Sequence, residues 1–330
     1  MTLTRRQHLA VLAAGIAAAA TGSGRPRAQV PVRGTGRIFA GFPAGGTLDN
    51  TSRRFAEVLR AEYPDGIIVE NRVGAGGRLA VDALKAAAPD GLGMLVSPDS
   101  IFTIYPFYYK KLAYDPVKDI APVSPLSTFA FAFAVGPKVP AEVKRLADFV
   151  GWVKANPADA AYASPATGSM PHFLGNELSR LAGLGMRHVA YRGSAPALQD
   201  LVGGHIASCM TTQGDFLPHI STGKMRFLGV TGRQRSRFLP DTPTFIEQGL
   251  AVVGSETYGL FLSGQSAPAL VDRFAAYARK AAADPEVVKT LAALGMDATA
   301  TSPADYRGYL DAERATWGPI VKASGFSSEE

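Results

Sequence analysis

One cysteine, Cys209, stands among 330 residues, so the chain forms no internal disulfide. A chain this long buries enough surface to do without one. Cys209 sits in the apolar stretch 206–210 and reads as a small core hydrophobe rather than a nucleophile. No Cys-x-x-Cys, no His-Glu-x-x-His and no cluster among the five histidines occurs, so neither a metal site nor a metal cofactor is expected. No apolar run reaches the roughly 20 residues that cross a bilayer. No basic cluster with interleaved aromatics is present, which argues against a nucleic-acid partner. No internal repeat and no linker rich in Pro, Gly or Ser divides the chain.

The first thirty residues carry a pattern of their own. Arg5 and Arg6 precede an apolar, Ala-rich run over 9–20, followed by small residues. That order predicts a removable signal peptide over 1–28, of the twin-arginine type, cut near Ala28. The segment holds Arg5, Arg6, Arg25 and Arg27 and no acid, so its loss lowers the net charge from +6 to +2. About 300 residues remain, enough for two lobes of ordinary size.

Short apolar runs then alternate with helical patterns, which predicts βαβ units on a mostly parallel sheet. Strands are expected at 37–42, 67–71, 94–97, 129–135, 161–164, 188–191, 206–210, 227–231 and 258–262. Leu48, Ser52, Phe55 and Leu59 share one face of a first helix, and Leu146, Val150 and Val153 do so later. A helical end is expected over 267–283, 285–294 and 303–324, each stretch opening near a proline. Without a single linker, two lobes imply that the chain crosses between them more than once, with 129–135 and 258–262 as the crossings. Lobe 1 would hold 31–130 and 260–330, and lobe 2 would hold 131–259.

Three strand-to-helix loops are candidates for a binding site. Phe42-Pro43-Ala44-Gly45-Gly46-Thr47 opens the first helix, with Asp49 in its first turn. Its glycines permit close backbone approach, and the helix N-terminus favours an anion. A plain strand–turn–helix junction would read the same way. Ser164-Pro165-Ala166-Thr167-Gly168-Ser169, with His172 beyond, offers small hydroxylated groups. Ser169 and His172 also suggest a nucleophile and base, but no Gly-x-Ser-x-Gly elbow is present, so a capping serine and a positioning histidine is the simpler account. Arg192, in Tyr-Arg-Gly-Ser-Ala-Pro, is suited to a carboxylate or to solvent. Gly74-Ala75-Gly76-Gly77 imitates a dinucleotide loop, yet Leu79 takes the place of the third small residue, so no nucleotide cofactor is expected.

Many ordered blocks together resemble one family. They are Phe-Pro-Ala-Gly-Gly at 42–46 with Asp49, Val-Glu-Asn-Arg-Val-Gly-Ala-Gly-Gly at 69–77 and Ala-Pro-Asp-Gly at 88–91. Tyr-Lys-Lys-Leu-Ala-Tyr-Asp-Pro at 109–116 and Lys-Asp-Ile-Ala-Pro-Val-Ser at 118–124 continue them, followed by Tyr-Ala-Ser at 162–164, Gly168-Ser169 and His172. Tyr-Arg-Gly-Ser-Ala-Pro-Ala-Leu at 191–198 and Leu-Pro-Asp-Thr-Pro-Thr at 239–244 complete the series. The chain thus resembles the substrate-binding proteins of tripartite tricarboxylate transporters, the Bug family, over essentially its whole mature length. The resemblance implies an α/β class II periplasmic binding fold, two lobes around a hinge cleft. It implies no enzymatic activity, no cofactor, a small organic acid as ligand and a two-subunit membrane permease as partner. A monomer is expected. Loops 42–47 and 164–169 would face each other and hold ligand carboxylates, the lobes closing over them. Two stretches depart from the family: Ser97-Pro98-Asp99-Ser100, where relatives carry glycines and hydroxyls, and Thr211-Thr212, where many carry Asp-Asn. Ser97, Asp99 and Thr211 are therefore expected to tune the ligand. A sensor presenting the solute to a receptor kinase ectodomain, and a periplasmic hydrolase using Ser169 and His172 or Cys209, are the alternative functions.

Overall fold

A computed structural model describes residues 33–328. The expected signal peptide and its cut near Ala28 lie outside the described residues. No described helix is long and apolar enough to cross a membrane.

Ten strands form one twisted, mixed sheet. They are β1 (Gly36–Ala40), β2 (Ile67–Asn71), β3 (Gly93–Pro98), β4 (Ile120–Val135), β5 (Ala161–Ser164), β6 (Arg187–Ala190), β7 (Ser208–Thr212), β8 (Arg226–Val230), β9 (Ser255–Ser263) and β10 (Asp297–Ala298). The helices are α1 (Thr47–Leu59), α2 (Arg78–Ala86), α3 (Ser100–Thr103), α4 (Tyr105–Tyr108), α5 (Leu146–Ala155), α6 (Met170–Leu181), α7 (Ser194–Val202), α8 (Gln213–Phe216), α9 (Pro268–Ala283), α10 (Pro285–Ala293) and α11 (Pro303–Ser324).

Strand order is β2-β1-β3-β9-β4-β7-β5-β6, with β10 and β8 also pairing β4. The outer strands of each half run parallel: β2, β1 and β3 on one side, β7, β5 and β6 on the other. β4 and β9 run antiparallel to their neighbours, so the whole is mixed rather than mostly parallel. Parallel strands need helical crossovers, and α1, α2, α6 and α7 supply them. The buried strands Met94-Leu95-Val96 and Phe131–Val135 are continuous apolar runs because both faces are covered.

β4 joins the two halves. Residues 120–130 pair with β9, and residues 131–135 pair with β7 and β8. The strand starts at Ile120, well before the expected 129. Pro122 and Pro125 masked that first part, because proline cannot donate to a ladder; the register shifts beside both, where bulges accommodate them. β9 (Ser255–Ser263) pairs with β3 and β4. α1 buries Leu48, Ser52, Phe55 and Leu59, the face that periodicity marked. At the C-terminal end, Asp284 caps α10 through the N–H groups of Glu286 and Val287, and Ser302 caps α11 through Asp305 N–H.

Candidate functional site

The loop after β1 and the loop after β5 meet across a cleft at the carboxyl ends of their strands. Ligands of open α/β sheets bind at that edge. Loop 42–47 is held from behind by Asp49, which is buried at 3% exposure. Asp49 accepts the Gly45 N–H at 3.0 Å, Arg53 Nε at 2.9 Å and Asn71 Nδ2 at 3.0 Å. Burial alone would raise its pKa, but these donors outweigh it and hold the carboxyl below its ordinary value. Gly45 takes φ +88°, a left-handed turn that glycine makes without strain. Gly46 is the N-cap of α1 and offers no side-chain cap. The N–H groups of Gly46 and Leu48 bond to no described residue, as the first turn of a helix leaves them.

Thr47 is the first residue inside α1, so it does not cap the helix. Its hydroxyl shares a 2.8 Å hydrogen bond with Tyr258 and approaches Thr212 at 3.5 Å. Its N–H donates to Asp215 Oδ1 at 3.2 Å. Asp215 belongs to α8 in the other half, so a carboxylate of one half rests on the helix terminus of the other. Asp215 Oδ2 also accepts the Thr211 hydroxyl at 3.3 Å, and Thr211 meets Ser194 at 2.9 Å. Thr211, where relatives are expected to carry an acid, is thus bonded to an acid one helical turn onward. Asp215 is the main site residue that sequence reasoning missed. No sequence signal marked it: Thr211 lies in β7, and only the turn from the strand into α8 brings residue 215 back beside it.

The opposite wall is tied to itself. Ser169 Oγ donates to Ala166 O at 2.7 Å, although the residue stands at the N-cap of α6. His172 Nδ1 accepts the Gly168 N–H at 3.0 Å. Ser169 and His172 therefore engage different partners and form no nucleophile–base pair. Ser164 Oγ meets His188 Nε2 at 2.7 Å. The His172 and His188 rings stack with centroids 3.9 Å apart. Burial pushes His172 down to about 3, helped by charge on His188, and burial pushes His188 down to about 4. Both rings are neutral at physiological pH. Cys209 is fully buried, and burial pushes its thiol well up. It reaches no cleft.

Phe42, Pro43, Leu48, Pro98, Ile101, Tyr105, Phe131, Pro165, Pro171, Ala195 and Tyr258 make most of the cleft wall. Gly46, Thr47, Ser100, Ser169, Gly193, Ser194, Thr212, Asp215 and Glu256 supply its polar surface. The residues expected at the site divide accordingly. Phe42, Gly46, Thr47 and Ser169 line the cleft. Ala166, Thr167 and Arg192 line a second hollow that shares Phe42, Pro165 and Gly193 with the cleft, with Arg192 exposed and residues 73–78 in the same lining. Ala44 and Gly45 face solvent. Gly168 packs under the Tyr108 ring, and Ser164, His172 and Thr211 act only through their neighbours.

Ser97 and Asp99 do not face the cleft. Ser97 Oγ turns back to Pro98 O. Asp99 is fully buried behind it, with Oδ2 accepting the Thr257 N–H at 3.1 Å and the Thr257 hydroxyl at 2.8 Å, while Oδ1 has no partner. The residue that does reach the cleft there is Glu256, whose Oε1 accepts the Ser100 N–H at 3.2 Å. Burial first, then the neighbouring charges, raises both Asp99 and Glu256 above the usual carboxyl range.

The two halves touch around the cleft. Tyr109 donates its hydroxyl to Thr167 O at 3.2 Å. A Cβ on Gly193 would meet Pro43 Cδ at 2.8 Å, and one on Gly168 would meet the Tyr108 ring at 2.8 Å. Only glycine lets these surfaces come so close.

This two-lobe architecture, with a cleft crossed by β4, is that of periplasmic binding proteins. A solved periplasmic transporter matches it at a TM-score of 0.84 and 29% identity, covering 90% of this chain and 99% of its own. MatC from Rhodopseudomonas palustris, solved with bound malate, matches at 0.81 and 27% identity, covering 88% of this chain and all of its own. The family described as tripartite tricarboxylate transporter family receptor matches residues 51–326, and the chain belongs to it. Protein BugT of Bordetella pertussis is 28% identical over 317 residues, spanning 96% of this chain and 95% of its own length. A UPF0065 protein in the gbd 5' region of Cupriavidus necator is 30% identical over 301 residues, spanning 89% of this chain and 90% of its own length.

Proposed function

We infer that this solute-binding receptor captures a small organic carboxylate in its cleft and delivers it to a tripartite tricarboxylate-type permease in the membrane. The observation that carries the reading is the start of α1, where the N–H groups of Gly46 and Leu48 bond to no described residue at a positive helix end. Malate in MatC, a relative of the same architecture, supports a carboxylate ligand. Residues 33–130 and about 255–328 act as lobe 1, and the intervening segment acts as lobe 2. The change of partners along β4 between Ala130 and Phe131 supports that division. The lobes close as a hinge, bringing loop 166–169 over loop 44–47, and closure strengthens the polar contacts by excluding water. The chain works as a periplasmic monomer, exported through its twin-arginine signal, and performs no chemistry on the solute.

Replacing Gly46 by Leu tests this. A Cβ at Gly46 meets only Pro43 O, at 3.7 Å, so the fold tolerates it, while the larger side chain covers the N–H groups. Calorimetric titration with malate and a panel of aliphatic and aromatic acids should show binding by the native chain and none by the variant. Equal affinities would overturn the proposed docking point.

A further inference from the structure

The two lobes also grip each other away from the cleft, through α4 and the end of the chain. Tyr108 and Tyr109 of lobe 1 line no part of the cleft, yet both reach lobe 2. The Tyr108 ring stands edge-on to His172, with centroids 6.1 Å apart, and to Phe173 at 5.8 Å. Tyr109 donates its hydroxyl to Thr167 O at 3.2 Å. Past α11, Gly325 turns the chain with φ +71°, and Phe326 meets the same His172 ring edge-on at 5.4 Å. Phe326 stays 46% exposed, and its ring contact is with the other lobe. Ser328 then pairs with the segment after α4. Its N–H donates to Tyr108 O at 2.9 Å, and its carbonyl accepts the Lys110 N–H at 3.0 Å. The chain end thus braces the backbone of Tyr108 to Lys110. His172 in turn holds the wall loop of lobe 2, since its Nδ1 accepts the Gly168 N–H at 3.0 Å.

We propose that Tyr108, Tyr109 and Phe326 form a latch that holds the lobes shut and positions loop 166–169 without touching the solute. This rests on the two-lobe hinge reading above. Opening separates every pair in the latch, so these contacts favour the closed state alone. Edge-on ring pairs and a hydrogen bond together should raise the closed-to-open ratio about tenfold or more. A solute that binds the closed form gains affinity in proportion to the population of that form. The latch residues are therefore positioning residues, and a measurement without any solute reads their effect.

Spin labels at Arg60→Cys in lobe 1 and Lys154→Cys in lobe 2, both exposed, report the inter-lobe distance, while buried Cys209 stays unlabelled. The mature chain is stripped of co-purified solute by unfolding and refolding, and its distance distribution is read by double electron–electron resonance. The chain with the native latch should populate mainly the closed distance. Phe326→Ala with Tyr109→Phe, which trims one exposed ring and one hydroxyl, should shift the closed-to-open ratio about tenfold toward open. Gly193→Trp serves as a wedge, because even a Cβ there meets Pro43 Cδ at 2.8 Å. A wedge that opens the lobes beside a latch variant that does not would overturn the latch and leave the hinge standing. A latch variant that melts earlier with an unchanged distribution would also overturn it, as would a native latch that leaves the lobes open. One unchanged distribution in all three chains would sink latch and hinge together.

Discussion

Acidification should act on this protein through two buried groups of opposite sign. His172 and His188 have folded pKa values of about 3 and about 4, against an ordinary 6.5. Their rings are neutral in the fold and become protonated first in the unfolded chain. The stability they contribute is therefore present above pH 6.5 and lost as pH falls toward 4 and 3. At pH 5 each ring has lost about 2 kcal/mol relative to pH 7.5, roughly 4 kcal/mol for the pair, at about 1.36 kcal/mol per pH unit below 6.5. Asp99, Glu256 and Glu313 oppose this, because burial raises all three, and a carboxyl with a raised folded pKa favours the fold at lower pH. The carboxyls with lowered values, such as Asp49 and Asp119, act only below about pH 4. The native chain should therefore show a shallow dependence between pH 7.5 and 5. The variant Asp99→Asn with Glu256→Gln mimics the protonated acids and removes most of the opposing effect. Its stability, from urea unfolding at several pH values, should fall by up to roughly 4 kcal/mol across that range. Adding His172→Phe and His188→Phe should flatten the curve again. A flat curve for the two-acid variant, or an equal fall after both histidines are gone, would refute the reasoning.

Other perturbations have defined outcomes. Gly193→Ala places a methyl 2.8 Å from Pro43 at a backbone φ of +106°, so it should hinder closure and weaken ligand binding by about tenfold or more, read by titration alongside an unchanged circular-dichroism spectrum. Asp49→Ala removes the acceptor of Gly45 N–H, Arg53 and Asn71, and should cost about 2 kcal/mol in urea unfolding as well as weaken binding. Cys209 is fully buried and its thiol is pushed up, so a thiol-specific dye should label it only after denaturant is added.

Much of this molecule is determined locally. The strands around Ile38, Met94, Tyr162, Cys209 and Leu228 are short apolar runs between turn residues, and both faces of each are covered in the fold. The helices over 268–283, 285–293 and 303–324 begin at prolines whose fixed φ and missing N–H suit a first turn. The loop 42–47 opens a helix for the same kind of reason, since its glycines and Asp49 are neighbours along the chain. The sequence by itself thus determined most of the longer strands and helices and their order, though not the first part of β4 or the short helices at 100–108 and 213–216. Tertiary structure decided which side chains meet in the cleft. Asp99 was expected there, but it stands at the end of β3 where its side chain turns toward Thr257, and Glu256 of the adjacent strand takes its place. Asp215 reaches Thr47 across 168 residues of chain, a pairing that exists only because β4 returns lobe 2 beside lobe 1. Periodicity reports which face of an element is apolar; it does not report which distant element will cover that face, because cross-lobe register arises from packing of the whole sheet.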